Sequence, residues 1–300
     1  MRIVLTGATG FLGQHVLDVL LNRGHEVLVA GRRAPKPRRN LTFVECDLLN
    51  TRDYDWLHDF GPTHLQHLAW YAEHGKFWES PLNLAWSDAT IRLVDAFCDS
   101  GGRRAVIAGS CAEYDWSFGY CLEQRTPTNP RTLYGISKDN TRRVVEQQCA
   151  RRNVEMAWGR IFIPVGMGED SRRLVPAVMD GLLGRIPAFE INLGQWRDFL
   201  PVEDVADAFA FLSDAEIRGP VNIASGRPIE IREIVVRIAE FLDKEPEVLL
   251  CKGIHDVPPP RLLVGDNTAL LNAGWDFHDR LWDRIEMYTQ QRARKLQALS

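Results

Sequence analysis

RIVLTGATGFLGQHVLDVLLNRG, residues 2–24, passes from an apolar run through three spaced glycines into a helical pattern. Ile3 to Leu5 reads as a buried strand. Leu12, Val16, Val19 and Leu20 fall at i, i+4, i+7 and i+8, one face of a helix whose end is marked by Arg23-Gly24. A second apolar run, Glu26 to Val29, follows at once, which makes the segment a strand, helix, strand unit.

The same alternation continues through the first half of the chain. Leu41 to Val44, Leu65 to Leu68 and Ala105 to Ile107 are further strand candidates. Asn83 to Ser100 and Thr132 to Arg152 are long helical stretches, and Glu155 to Ile163 is one more strand. Strands alternating with helices predict an α/β fold. The expectation is a Rossmann-type doubly wound parallel sheet with a smaller C-terminal α/β substrate domain. After Gly166, short elements are punctuated by Gly, Pro and charge. The boundary is therefore placed near Val165: residues 1–165, with a returning segment at about 195–225, form the first domain, and 166–194 with 226–300 form the second.

Composition narrows the class. Three hundred residues, 45% hydrophobic and 25% charged, exclude disordered and fibrous chains. A formal net charge of -4 provides no broad basic field for nucleic acid or a membrane surface, so neither is an expected partner. Cys46, Cys98, Cys111, Cys121, Cys149 and Cys251 are scattered, without C-x-x-C or zinc-like spacing. They read as reduced thiols, and no metal site is expected. Met1 leads into the first apolar run without a basic leader or cleavage site, and no apolar run approaches membrane-spanning length. A cytoplasmic location is the expectation.

Gly7, Gly10 and Gly13 lie between the first strand and its helix in a G-x-x-G-x-x-G arrangement. Glycine there lets the chain turn tightly and lets backbone N–H groups and a helix N-terminus face a pyrophosphate. With Thr9, Phe11 and Leu12 completing the turn, this is a candidate dinucleotide site. The second strand ends in Ala30-Gly31-Arg32-Arg33, where an NAD-selective site would carry an acidic side chain for the ribose 2'-hydroxyl. Arginine there suits a 2'-phosphate, so the expected cofactor is NADP(H), with NAD(H) as the alternative. A solvated basic loop is the other reading of these arginines, since Arg38 and Arg39 follow. Asp47, in C-D-L, is placed to meet the adenine amine. Leu48, Leu68 and Ala69 are counted with the same site.

Tyr134 and Lys138, in Y-G-I-S-K, stand at i and i+4 on one helix face. A neighbouring ammonium and a positive nicotinamide ring both favour the phenolate, which predicts a phenol pKa low enough for proton exchange with an alcohol or ketone. Ser110 ends the strand Ala105 to Ile107 at the sheet's carboxyl edge, where ligands bind in open α/β folds. It reads as a hydrogen-bond donor to a substrate oxygen, or as a turn serine. His67-Leu68-Ala69-Trp70-Tyr71, followed by Glu73, His74, Phe77 and Trp78, is aromatic enough either to shape a pocket or to fill a core.

Together T-G-A-T-G-F-L-G, C-D-L, the strand-end serine, Y-G-I-S-K and R-D-F-L-P-V-E-D-V-A-D-A resemble the extended short-chain dehydrogenases, the NAD(P)-dependent sugar epimerase/dehydratase/reductase group. The resemblance covers nearly the whole chain. It implies that Ser110, Tyr134 and Lys138 are the catalytic set and that the substrate is a nucleotide-activated sugar. It also implies that Arg197 and Arg261 bind the substrate diphosphate; a surface ion pair of Arg197 with the adjacent Asp198 is the plain alternative. A homodimer through the two long helices follows from the same resemblance.

Departures from the family pattern sharpen the expectation. Sugar 4,6-dehydratases of this group carry an acidic pair just after the catalytic hydroxyl, where this chain has Cys111 and Ala112. GDP-fucose synthases carry an acid/base cysteine two residues beyond the serine; Cys111 is one residue beyond, so it reads either as a substrate-facing thiol or as a buried structural one. The common R-x-F-N becomes Arg160-Ile161-Phe162-Ile163, without the polar sugar contact. The expected activity is NADPH-dependent reduction of a keto-sugar nucleotide, the alternative a redox-neutral epimerase, and a catalytically silent dinucleotide sensor the third reading.

Overall fold

The computed structural model describes residues 1–254 and 260–297 of the chain. The expected second domain runs to 300, so its residues 255–259 and 298–300 lie outside the described residues. The first half alternates as anticipated: β1 (Arg2–Thr6), α1 (Phe11–Asn22), β2 (Glu26–Gly31), β3 (Leu41–Glu45), α2 (Asp55–Phe60), β4 (His64–His67), α3 (Leu82–Asp99) and β5 (Arg104–Ser110). Then come β6 (Tyr120–Cys121), α4 (Leu133–Arg151), β7 (Glu155–Ile161), β8 (Ile163–Val165), α5 (Leu174–Leu182), β9 (Trp196–Arg197) and β10 (Phe199–Pro201). The chain continues with α6 (Val202–Asp214), β11 (Gly219–Ile223), β12 (Ile229–Glu230), α7 (Ile231–Leu242), α8 (Glu247–Leu250), β13 (Leu262–Gly265), α9 (Thr268–Asn272) and α10 (Leu281–Gln297). Among the described residues no helix is long and apolar enough to cross a membrane.

Seven strands pair in parallel in the order β11-β7-β5-β4-β1-β2-β3, the arrangement of a Rossmann-type doubly wound sheet. Strand order reverses between β1 and β4, the point where such sheets open a crevice at their carboxyl edge. Alternation along β1 shows why both faces are covered. Ile3 and Leu5 pack with Val16 and Leu20 of α1 and Phe209 of α6. Val4 points the other way, into a cluster with Leu57 of α2, Leu93 and Phe97 of α3 and Val145 of α4. Each such aliphatic side chain, fully buried, stabilises the fold by about 2 kcal/mol relative to exposure.

The run from Glu155 to Ile163 does not form the single strand expected of it. β7 stops at Ile161 because the pairing partner changes: the amide of Phe162 still donates to Ile223 O at 3.2 Å, but that of Ile163 donates to Asp198 O at 3.1 Å. β8 therefore pairs with β10, away from the main sheet. Beyond this break a smaller α/β assembly is built on the sheet β12-β9-β13-β6 and a separate apolar cluster. Ile231, Ile234, Val235 and Ile238 of α7 supply one helical stripe of that cluster, against Val178 of α5 and Ile285 of α10.

Asp198 ties the smaller sheet to the large one. One carboxylate oxygen accepts from the amide and hydroxyl of Ser225, at 2.8 and 2.7 Å, and the other from the amides of Gly226 and Gly265, at 3.0 and 3.2 Å. Burial pushes the carboxyl up to about 6, while these donors favour its ionised form. An ion pair between Arg197 and Asp198 is therefore not what the structure contains. Asp198→Ala strands buried donors at the ends of β11 and β13, and its expected cost is roughly 3–5 kcal/mol in a urea titration. A loss below about 1 kcal/mol would show that water replaces the carboxylate.

Candidate active site

The turn after β1 brings backbone against backbone. Gly7 has φ +74°, and a Cβ on it would lie 2.8 Å from the amide nitrogen of Ala69, just past β4. A Cβ on Gly13 would lie 2.0 Å from the carbonyl oxygen of Gly7. The N-terminus of α1 thus sits directly over the ends of β1 and β4, and no side chain caps it. His67 braces the other side of this approach. Its ring shares hydrogen bonds with Thr6 Oγ1 at 2.7 Å and Thr90 Oγ1 at 2.9 Å, and Ala69 N donates to Thr6 Oγ1 at 3.3 Å. Burial lowers the His67 pKa to about 3, so the brace is a neutral imidazole. Gly7, Gly10 and Gly13 thus pack on one another and on the backbone of Leu68 and Ala69, with Thr9 in the turn and Phe11 and Leu12 opening α1. An uncapped helix start beside close-packed glycines fits the diphosphate of a dinucleotide.

Arg32 and Arg33 follow β2 at the same edge. Both are exposed and have no ion pair or side-chain hydrogen bond among the described residues. Arg38, by contrast, is held by Asp18 and Asn22 of α1. Asp47 is half-buried just past β3, its carboxylate accepting from Leu49 N at 3.3 Å and Asn50 Nδ2 at 2.7 Å, while Arg92 donates to the carbonyl of Leu48 at 3.2 Å. The Arg32/Arg33 pair thus leaves two free guanidinium groups after β2.

Ser110 ends β5, and Tyr134 and Lys138 lie in the first two turns of α4, whose N-terminus is capped by Thr132 at 3.1 Å. A hydrogen bond joins Ser110 to the Tyr134 phenol and favours the phenolate. The Ser110 hydroxyl oxygen meanwhile accepts from Ala112 N at 3.1 Å, which leaves its proton to donate outward. The anticipated lowering of the phenol pKa by Lys138 is not the balance found. Burial is the largest influence and raises the Tyr134 pKa, Glu113 and Cys111 act the same way, and Ser110 and Arg173 oppose them. The Lys138 ammonium is directed elsewhere. It donates to Ala108 O at 2.8 Å and lies 3.7 Å from the centroid of the Trp70 ring. Burial lowers its pKa to about 7.

The aromatic stretch after β4 wraps this pair. Phe77, Trp78 and Trp70 meet the Tyr134 ring edge-on, with centroids at 4.8, 5.8 and 6.5 Å. Asn83 fixes the loop: Nδ2 donates to Phe77 O at 2.6 Å and Oδ1 accepts from Trp70 Nε1 at 2.9 Å. Trp78 is 37% exposed, so one ring of this wall remains open to a ligand.

Cys111 is buried, and its thiol is pushed up to about 12, mainly by burial, so it remains a neutral thiol near pH 7. It faces Arg197, whose guanidinium is destabilised by its own burial and donates to the carbonyls of Trp196 at 2.9 Å and Arg261 at 3.4 Å. Arg261 immediately precedes β13, which runs parallel to β9, and its carbonyl also accepts from Trp196 N at 2.7 Å, so the two arginines are neighbours at the smaller sheet. Arg261 is exposed and has no ion pair among the described residues, and none of these residues forms a cluster able to hold a metal ion. Sequence reasoning misses Glu113 and Trp158, which lie buried behind Ser110, and the placement of Trp70 on Lys138. Their signals are single letters with no spacing rule.

The sequence pattern described as the NAD dependent epimerase/dehydratase family matches residues 3–224. Among curated proteins, the chain is 24% identical to a dTDP-6-deoxy-L-talose 4-dehydrogenase (NAD(+)) of Aggregatibacter actinomycetemcomitans, over 78% of this chain and 88% of that one. Among solved structures it is similar to a UDP-N-acetylglucosamine 4-epimerase from Methanobrevibacter ruminantium M1 in complex with UDP-N-acetylmuramic acid, with a TM-score of 0.86, 19% identity and 98% of each chain covered. It is also similar to a Thermus thermophilus UDP-glucose 4-epimerase in complex with NAD, with a TM-score of 0.80, 24% identity and coverage of 98% and 99%.

Proposed function

The chain belongs to the NAD dependent epimerase/dehydratase family, and from that premise we propose that it oxidises or reduces a sugar carbon of a nucleotide-activated hexose. The observation that supports the reading is that Ser110 ends β5 beside Tyr134 of α4, while Lys138 of the same helix donates to Ala108 O of β5, at the carboxyl edge of the sheet. The nicotinamide dinucleotide, when bound, supplies or accepts the hydride. Gly7 to Gly13 hold its diphosphate, Arg32 and Arg33 its 2'-phosphate, and Asp47 its adenine. Ser110 donates to the reacting sugar oxygen, and Tyr134 moves the proton at that oxygen. Lys138, held by Ala108 O and the Trp70 ring, would help to bind the cofactor at this edge. Arg197 and Arg261 hold the substrate diphosphate, for which a planar guanidinium offers paired donors.

Free arginines after β2 support NADPH and net reduction as the leading reading. A redox-neutral epimerase is the second, favoured by the named epimerases that the fold resembles. Cofactor stoichiometry separates them: a reductase consumes one NADPH per sugar converted, whereas an epimerase interconverts sugars with no net change in cofactor.

Replacing Arg32 and Arg33 together by Ala should weaken NADPH binding at least tenfold in a titration and leave NADH nearly unchanged, because only NADPH carries the phosphate. Equal loss for both cofactors returns the arginines to the solvated-loop reading. Tyr134→Phe removes one oxygen and little volume. Fold and cofactor binding should persist while turnover of a nucleotide sugar, found by thermal-shift screening, falls by roughly two to four powers of ten. Near-normal turnover would assign the proton transfer to another group.

The helices α3 and α4 also support a homodimer. Leu84, Ile136 and Val144 on them are exposed, whereas the charges that weigh against such an interface are largely engaged within the chain: Arg142 with Asp139 and Glu146, and Arg152 with Asp95 and Asp99. Light scattering at micromolar concentration should give twice the chain mass, and a monomer there would reject the pairing.

A further inference from the structure

Behind Ser110 lies a carboxylate that the proposed reaction does not use. Glu113 has no exposed surface, and three donors converge on it: the amide of Ser110 at 2.8 Å, the indole Nε1 of Trp158 at 2.8 Å and Nε of Arg160 at 2.7 Å. With Ala112 N donating to Ser110 Oγ, this closes a reciprocal capping box around the serine. Gly109 is what permits it, since a Cβ there would lie 2.1 Å from Trp158 Nε1 and 2.8 Å from a Glu113 oxygen. Trp158 in turn presents its ring to Lys138, 5.9 Å from the ammonium. One buried carboxylate thus touches the backbone of Ser110 and reaches Lys138 through a shared indole.

We propose that Glu113 is a positioning residue for the catalytic set: it fixes Ser110 from behind and serves as the buried counter-charge that keeps Lys138 an ammonium. The role rests on the oxidoreductase reading of the site but makes a separate claim about it. Burial drives Lys138 toward the neutral amine, and Glu113 is the charge that opposes this. The same negative charge acts on Tyr134, where it favours the neutral phenol. Several charged or titratable groups face this centre. Arg160 on β7 pairs with Glu113 and reaches Asp139 of α4 at 3.9 Å, and its guanidinium lies 4.4 Å from the centroid of the Tyr114 ring. Cys111 and Arg173 act on Tyr134, and the neutral ring of His67 lies near Lys138. A side chain that merely filled space would need no charge. A buried carboxylate without a task is a liability, because the desolvation of such a pair commonly exceeds its attraction.

Glu113→Gln keeps the shape and an acceptor for the Ser110 amide but removes the charge. Loss of a negative charge destabilises the ammonium and stabilises the phenolate, so both pKa values should fall. The chain has six lysines, so the Lys138 side chain can be followed by NMR in protein labelled at lysine Cε. Its midpoint should drop by about one pH unit in Glu113→Gln. This measurement needs no substrate, so it stands even if no nucleotide sugar is turned over. Where turnover is found, the acidic limb of kcat/KM should move down by a similar amount. If an unpaired Arg160 prevents folding, Glu113→Gln combined with Arg160→Met leaves a neutral pair, the replacement such sites tolerate best. It should show a smaller downward shift, because loss of the Arg160 cation, 2.7 Å from Glu113, offsets part of the loss of the carboxylate. An unmoved Lys138 midpoint in whichever variant folds would overturn the proposal and leave Glu113 a structural ion-pair partner.

Discussion

The close approach of two backbone turns is the constraint from which the rest of the molecule follows. A methyl group on Gly13 would fall 2.0 Å from the Gly7 carbonyl oxygen, so α1 can rest on the end of β1 only because no side chain intervenes. That contact aims the uncapped start of α1 at the switch point between β1 and β4. It also sets α1 against the sheet face that α6 shares, so the packing of Val16 and Leu20 against Phe209 depends on it. On the far side, the neutral His67 between Thr6 and Thr90 holds Ala69 at the distance the turn needs. Geometry for a diphosphate and geometry for the core are therefore one requirement.

Local physics makes most of this legible in the sequence alone. Ile3 to Leu5, the three glycines and the helical stripe of α1 lie within two dozen residues, and strand and helix periods separate cleanly there. Tyr134 and Lys138 are readable for the same reason, because a helix brings i and i+4 together whatever surrounds it. The strand after α4 is harder. Glu155 to Ile163 is continuous in pattern, and only the carbonyl of Asp198, some thirty-five residues later, makes β8 leave the sheet. Pairing partners so remote leave no trace in a local window.

Side-chain polarity is harder still. Asp198 reads as the natural partner of its neighbour Arg197, but Arg197 closes β9 while Asp198 forms the link to β10. The carboxylate turns inward to four donors, and the guanidinium donates to the carbonyls of Trp196 and Arg261. The aromatic stretch from Trp70 to Trp78 has two readings in the sequence, pocket or core. The structure gives it parts of both: Trp70 lies on the Lys138 ammonium and Trp78 stays partly open.

That aromatic wall creates the electrostatic problem at the heart of the site. Rings around Tyr134 and Lys138 exclude water, and exclusion disfavours both the ammonium and the phenolate. A cation beside the face of Trp70 recovers part of the loss, on the order of 1–2 kcal/mol for a desolvated ammonium, and the Ala108 carbonyl recovers more. Neither helps the phenol. For Tyr134 the opposing influences are the Ser110 hydrogen bond and Arg173, and they leave it above its ordinary value in the chain alone. The protein by itself therefore holds a protonated phenol, ready to donate. Making it a base requires further positive charge next to the ring. In a family described as NAD dependent, an oxidised nicotinamide would supply that charge and a reduced one would not. On the function proposed above, Tyr134 would be an acid beside a reduced cofactor and a base beside an oxidised one.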